Sequence, residues 1–221
     1  MNNTVSIILP VKDEPHLPQI VEYLNLYLPT TPHEILIITS DKSKSNYVPE
    51  LLSQRNPTNI KVFKSYGDSL ERAILLGFSV AQYDKIIVMD ADGSHPPELI
   101  PQIIQKLDDY EMVIASRFCS GGGYTISPFR FLVTAIFNQY AKLLGSNSTD
   151  SMSGYFGIQS QLLTKMKFKP YKWKTALEIN NKLRPKTIEI PFTFHNRKEG
   201  KSKSNWKIGL KILWDTLEEA L

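Results

Sequence analysis

Apolar positions along the chain follow two alternating rhythms. Short runs rich in β-branched residues (Val5 to Val11, Glu34 to Thr39, Ile60 to Lys64, Lys85 to Asp90 and Met112 to Ser116) read as buried strands. Between them, Leu17 to Leu28, Ser69 to Ala81 and Pro97 to Leu107 carry apolar residues three or four apart, the spacing of a helix with one buried face. Pro96-Pro97 heads the last of these, where a first helical turn tolerates proline. Strand and helix in alternation predict an α/β fold with a mainly parallel, doubly wound sheet. Such sheets bind ligands beyond the carboxyl ends of their strands. That rule aligns Pro10 to Glu14, Thr39 to Ser45, Asp90 to His95 and Ser116 to Gly123 along one edge.

The second half has a different texture. Ser120-Gly121-Gly122-Gly123 reads as a loop, and the very apolar Phe129 to Leu144 follows it. That run falls short of the roughly 20 residues that cross a bilayer, so it predicts a buried or interfacial helix. A further strand is expected over Thr187 to Phe194. Near the end, Trp206, Leu210, Leu213, Trp214, Leu217 and Leu221 share one helical face. This face either packs on the domain or lies in a membrane interface beside Lys207 and Lys211. The expected organisation is one domain over 1–204 and an amphipathic helix over 205–221.

Composition narrows the class. With 221 residues, 42% hydrophobic and 22% charged, the chain has the make-up of a soluble globular protein large enough for a substantial core. The net charge of +4 is uneven: Arg197, Lys198, Lys201, Lys203, Lys207 and Lys211 face only Glu199 between Arg197 and Lys211. Such a stretch suits phosphates, anionic lipid or nucleic acid, or is simply a solvated face. No aromatic stacking platform or RNA motif accompanies it, so nucleic acid is not an expected partner. The single cysteine, Cys119, excludes an intrachain disulfide and fits a reducing compartment. No signal-peptide pattern opens the sequence and no window is long enough to span a bilayer, so the expectation is a soluble or peripheral cytoplasmic protein.

The strongest chemical signal is at Asp90-Ala91-Asp92-Gly93-Ser94-His95, where an apolar run ends in two aspartates one residue apart. Two carboxylates side by side at a buried strand end repel each other and lose hydration. A hard divalent cation, Mg2+ or Mn2+, removes that cost and binds substrate phosphates as well. The plainer alternative is that Asp92 caps the helix that follows. No GxGxxG follows the first strand and no P-loop occurs anywhere, which sets aside two common nucleotide-binding designs.

Five motifs occur in order: Pro10-Val11-Lys12-Asp13-Glu14, the Asp90 to Glu98 stretch, Ser116-Arg117-Phe118 with its glycine loop, Asp150-Ser151-Met152-Ser153-Gly154-Tyr155, and Arg197-Lys198-Glu199-Gly200-Lys201-Ser202-Lys203. Together they resemble the family 2 glycosyltransferases of the GT-A fold, in particular the dolichol-phosphate mannose synthases and their polyprenyl-phosphate relatives. The resemblance runs from about Val5 to about Leu213.

The resemblance implies an inverting transferase that moves a sugar from a nucleotide-sugar donor to a polyprenyl phosphate at a membrane surface, on its cytoplasmic face. It implies Asp90 and Asp92 as ligands of Mg2+ or Mn2+, with Ser94 adding an oxygen. Pro10, Asp13, Glu14, Asp41, Asp90, Ala91, Asp92, Arg197 and Lys203 would line the donor and its phosphates, Arg117 and Arg130 would hold the acceptor, and Asp92, Arg117 and Asp150 would be the catalytic residues. Asp150 would serve as a base or acceptor-positioning group, or only brace the Ser153-Gly154 turn. Glu178 would orient the site, and His95 would be structural. A membrane-anchoring partner subunit is left open, as are two other functions: transfer to a glycan or other hydroxyl, and a non-catalytic sugar-nucleotide-binding subunit.

The base-binding half departs from the family pattern. Where the family has two aspartates after strand two, this chain has Thr39-Ser40-Asp41-Lys42, with Asp41 late by one or two positions. Ser69-Leu70-Glu71-Arg72-Ala73 replaces a glycine-containing motif, and Asp13 stands in the place of an asparagine. GDP-mannose is therefore the favoured donor by resemblance only.

Overall fold

The computed structural model describes residues 4–43, 48, 58–67, 69–124, 128–143, 145–166 and 175–194, with the side chains of 124 and 128–130 outside that description. Seven strands form one sheet: β1 (Val5–Val11), β2 (His33–Ser40), β3 (Ile60–Ser65), β4 (Lys85–Val88), β5 (Met112–Ser116), β7 (Phe156–Gln159) and β8 (Thr187–Pro191), in the order β3-β2-β1-β4-β7-β5-β8. A small parallel pair, β6 (Gly123–Tyr124) and β9 (Thr193–Phe194), lies apart from it.

β1, β2, β4 and β5 are buried along nearly their whole length, as expected of strands covered on both faces. Residues of β1 alternate between two cores. Val5, Ile7, Leu9 and Val11 pack with α1 (Leu17–Tyr27) and α3 (Ile100–Lys106). Ile8 faces α2 (Leu70–Val80) and α5 (Thr175–Leu183) on the other side. Each fully buried Ile or Leu contributes about 2 kcal/mol of hydrophobic stabilisation.

Helix boundaries follow local chemistry. Ser69 caps α2, its hydroxyl accepting from the Arg72 N–H at 3.3 Å, so the departure from the family motif supplies the helix start. The proline-headed segment begins as a 3-10 turn over Pro97–Leu99 before continuing as α3. The apolar run predicted over Phe129 to Leu144 is α4 (Pro128–Leu143).

Two elements differ from the sequence expectation. β7 was not anticipated, and it runs antiparallel between β4 and β5, pairing Val88 with Phe156 and Ile114 with Phe156. The strand expected over Thr187 to Phe194 breaks at Phe192, whose N–H donates to Ser116 O while its ring is buried in the core. That break sends Thr193 and Phe194 to pair with Gly123 and Tyr124. The carboxyl ends of β1, β2, β3, β4, β5 and β8 all emerge on one edge. The helix expected over 205–221 and the basic stretch before it lie outside the described residues.

Candidate active site

The loop after β4 is built around its two aspartates. Asp92 is buried, and its Oδ1 accepts from both the N–H of Ser94 (2.9 Å) and the Ser94 hydroxyl (2.5 Å). Gly93, at φ +79°, permits this turn. Asp92 therefore braces its own loop; the 3-10 turn at Pro97 carries no side-chain cap, so the helix-capping alternative does not apply. Ser94, expected as a metal oxygen, spends its proton on Asp92. Ala91 is buried beside them.

The Asp90 N–H donates to Nδ1 of His95 at 2.9 Å. His95 stacks on Tyr155 with ring centroids 5.0 Å apart and meets the edges of Phe192 and Phe194. That nitrogen is occupied, which agrees with a structural histidine. Burial pushes the Tyr155 phenol well above its ordinary pKa, so it stays neutral and donates to Pro96 O at 3.0 Å. A Cβ added to Gly154 would lie 3.6 Å from His95 Cε1 and 3.8 Å from Asp90 Oδ2, so the Asp150 to Tyr155 loop abuts the aspartate loop directly.

The same loop engages the end of β5. Arg117 donates from Nε to Asp150 Oδ2 and from Nη2 to Oδ1, both at 2.6 Å, and its backbone N–H donates to Oδ2 at 3.0 Å. Asp150 is fully buried and the Arg117 side chain is 11% exposed. The pair is the bidentate, charge-assisted kind that fixes a guanidinium plane. Phe194 lies 5.6 Å from the Arg117 guanidinium carbon. The Ser153 turn is closed by the backbone carbonyl of Asp150, leaving the Asp150 side chain for Arg117.

The glycine loop reaches this site because of Gly122. A Cβ there would come within 2.7 Å of the Arg117 carbonyl carbon and the Ser116 oxygen, so only glycine lets the chain fold back on Arg117. Cys119 sits in this turn. Burial pushes its thiol up, and the Glu189 and Asp150 carboxylates add to the effect beyond what the bond to Ser116 offsets.

On the neighbouring side of the edge, Pro10 lies in β1, and Asp13 adopts a left-handed conformation at φ 56°, with its Oδ1 accepting from Ser43 Oγ at 2.9 Å. Aspartate tolerates that geometry better than most residues. The Glu14 carbonyl accepts from the Leu17 N–H at the start of α1. Asp41 Oδ1 accepts from the Gly67 N–H at 2.8 Å, joining the ends of β2 and β3. Asp41 thus braces a surface loop, with its side chain at the edge where a nucleotide base is expected.

Arg130 belongs to α4, its side chain outside the described residues, and Arg197 and Lys203 lie outside them altogether. Glu178 pairs with Lys182 at 2.8 Å on α5. The residue that sequence reasoning missed is Glu189, whose carboxylate accepts from Ser148, Thr149 and Asp150. Its one signal was an acid between Ile188 and Ile190 in an apolar strand.

Among the described residues no three His, Cys, Asp or Glu side chains cluster to hold a metal by themselves. Asp90 and Asp92 put two carboxylates on one loop, an all-oxygen chemistry of the kind that suits a hard ion such as Mg2+ or Mn2+. The residues present are thus compatible with such an ion.

The sheet topology is that of a GT-A domain. The glycosyl transferase family 2 model matches residues 6–167, and the chain belongs to that family. The chain is 28% identical to the dolichol-phosphate mannosyltransferase of Pyrococcus furiosus over 214 residues, 92% of this chain and 60% of that protein. It is 30% identical to the Saccharomyces cerevisiae dolichol-phosphate mannosyltransferase over 191 residues, 80% of this chain and 71% of the yeast protein. Polyprenol monophosphomannose synthase of Mycolicibacterium smegmatis is 28% identical over 215 residues, 90% and 80% of the two chains. The chain thus spans less than two thirds of the archaeal relative. Glucosyl-3-phosphoglycerate synthase from Mycobacterium tuberculosis, in complex with Mn2+, UDP-glucose and glycerol 3-phosphate, has the same fold, with a TM-score of 0.74 at 14% identity over 97% of this chain and 79% of that one.

Proposed function

We propose that this chain transfers mannose from GDP-mannose to a polyprenyl phosphate at the cytoplasmic face of a membrane, inverting the anomeric carbon. A phosphate oxygen of the acceptor forms the new bond to that carbon as the bond to the nucleoside diphosphate breaks. Asp90 and Asp92 would hold Mg2+ or Mn2+, which neutralises charge on the leaving diphosphate when bound. Arg197 and Lys203 hold the donor phosphates, with Pro10, Asp13, Glu14, Asp41 and Ala91 along the donor. Arg117 and Arg130 draw in the acceptor phosphate.

The observation that carries this reading is the commitment of Asp150 to Arg117. Both of its oxygens accept from the guanidinium. A hydroxyl acceptor needs a carboxylate that can take its proton. A lipid phosphate is already anionic, so a positioned arginine and charge neutralisation suffice. The mannose-transferring relatives support the donor sugar, and the Mn2+ complex of the structural neighbour supports the metal.

The test is a thermal-shift panel of GDP, UDP and CDP with Mn2+, followed by transfer of labelled mannose to a polyprenyl phosphate in detergent. Stabilisation by GDP with Mn2+, transfer by the wild type and its loss in Asp92→Asn are the expected results. Transfer to a glycan but not to the lipid phosphate would overturn the acceptor assignment. No nucleotide shift and no transfer would overturn the enzyme.

A further inference from the structure

The geometry points to Glu189 as a positioning residue that sets Arg117 in its working orientation through Asp150. This rests on the transfer to an anionic acceptor proposed above. Glu189 stands on β8 opposite Ile114, between two apolar residues. Its Oε1 accepts from Ser148 Oγ (2.6 Å), the Thr149 N–H (2.8 Å) and the Asp150 N–H (3.0 Å), and its Oε2 from Thr149 Oγ1 (2.6 Å). Four donors from three consecutive residues converge on one carboxylate, and the last of the three is the residue that clamps Arg117.

A second strand of the network reaches Arg117 from the other side. Thr149 Oγ1 lies 3.1 Å from Ser116 Oγ. Ser116 Oγ in turn accepts the N–H groups of Phe118 and Cys119, the turn that carries Arg117. Thr149 gives its proton to Glu189, so Ser116 must give its own to Thr149. Every hydroxyl in the chain is polarised toward the Glu189 charge, and such chains strengthen one another. Glu189 therefore fixes both anchors of Arg117, the Asp150 carboxylate and the Ser116 turn. The fork of the guanidinium uses Nε and Nη2 on Asp150, which turns its Nη1 edge away from that carboxylate.

A carboxylate is required for this, because an amide offers only one accepting atom. With glutamine, the amide oxygen can still gather Ser148, Thr149 and Asp150, but the NH2 faces Thr149 Oγ1 and reverses the hydroxyl chain. With alanine, the 148–150 loop loses all four contacts.

The experiment compares Glu189→Ala, Glu189→Gln, Thr149→Val and wild type in steady-state transfer to polyprenyl phosphate, together with the Asp150→Asn cycle. Misplacement of Arg117 by an ångström predicts a fall in kcat of about 100-fold for Glu189→Ala, with the donor KM nearly unchanged. Glu189→Gln and Thr149→Val should fall between that and wild type. The double variant Glu189→Ala/Asp150→Asn should lose no more than the worse single variant, because the two act in series. An unchanged kcat, a loss confined to donor KM, or additive losses would overturn the role.

A second readout is independent of activity. The Arg117 Nε–H resonance, assigned by its disappearance in Arg117→Lys, should exchange slowly with solvent in wild type and much faster in Glu189→Ala. Equal protection in Glu189→Gln, Thr149→Val and wild type would overturn the relay even if Glu189→Ala does not fold. A wild type that transfers nothing, yet shows the change in protection, would sink the proposed function and leave the positioning role standing.

Discussion

Phe118 stacks on Phe131, with ring centroids 5.2 Å apart and planes 25° from parallel. The residue that follows Arg117 thus rests directly on α4, the helix that turns Phe131, Leu132, Ile136 and Leu143 outward. Those side chains are between 44% and 86% exposed, which is unusual for neighbouring large apolar residues on one helix. The turn that carries Arg117 is therefore packed against the α4 surface. No helix among the described residues is long and apolar enough to cross a membrane.

Replacing Leu132 and Ile136 together by glutamine should weaken binding to vesicles that contain anionic lipid and polyprenyl phosphate. Both are exposed, so folding stability should change by only about 0.5 kcal/mol per site. Flotation and urea unfolding measure the two effects. Full flotation of the double variant would show that α4 does not meet the lipid.

Asp150→Asn should be costly in two ways. It leaves the largely buried Arg117 charge without its bidentate partner, a change worth about 3 kcal/mol. It also frees the guanidinium to swing, with a kcat loss of about 100-fold. Denaturant titration and steady-state kinetics on the same preparation test both. A stable, fully active Asp150→Asn would mean that the pair does not position Arg117.

His95→Phe keeps a ring against Tyr155 and removes the acceptor for the Asp90 N–H. A buried donor left unsatisfied costs about 1–3 kcal/mol. The Asp90 carboxylate loses its backbone anchor at the same time, so the extra thermal stabilisation by GDP and Mn2+ should shrink. An undiminished ligand shift in a destabilised variant would confine His95 to folding alone.

Glu34, at the opposite end of the sheet, gives a pH signature. Burial pushes its carboxyl up, but hydrogen bonds from Lys61, Ser6 and the Gln82 N–H, with the Lys61 charge, outweigh it and hold the group below 4.5. The unfolded chain then binds the proton more tightly than the folded one. The stabilisation is fully present above 4.5 and is lost as pH falls through that value and on through the lower folded one. Urea unfolding from neutral pH downward should show this acid limb, and Glu34→Gln should flatten it while lowering stability at neutral pH. An identical limb in the variant would place the acid sensitivity elsewhere.

Gly122→Ala should disturb the Arg117 turn, because the added carbon meets backbone rather than a flexible side chain. Overpacking of this kind costs about 1–3 kcal/mol. Activity should fall more than stability alone explains, as judged by kinetics well below the melting temperature.

The rhythm of apolar positions was enough to read β1 to β5, α1 to α4 and the edge that carries the candidate site, because burial on both faces leaves a continuous apolar run in β1, β2, β4 and β5, while β3 is legible from its β-branched and aromatic alternation. The Asp90-Ala91-Asp92 signal and the motif order were legible for a different reason: they are local, each within a few residues of a strand end. β7 was hidden because Phe156-Gly157-Ile158-Gln159 is short, broken by glycine and preceded by polar turns. Its antiparallel place between β4 and β5 depends on strand order, which no local pattern records. The bond of Arg117 to Asp150, 33 residues away, and the gathering of Ser148 to Asp150 by Glu189 are set the same way. Periodicity assigns a residue to a face; only the packed sheet, by bringing the end of β5, the loop before β7 and β8 side by side, decides which charge it meets there.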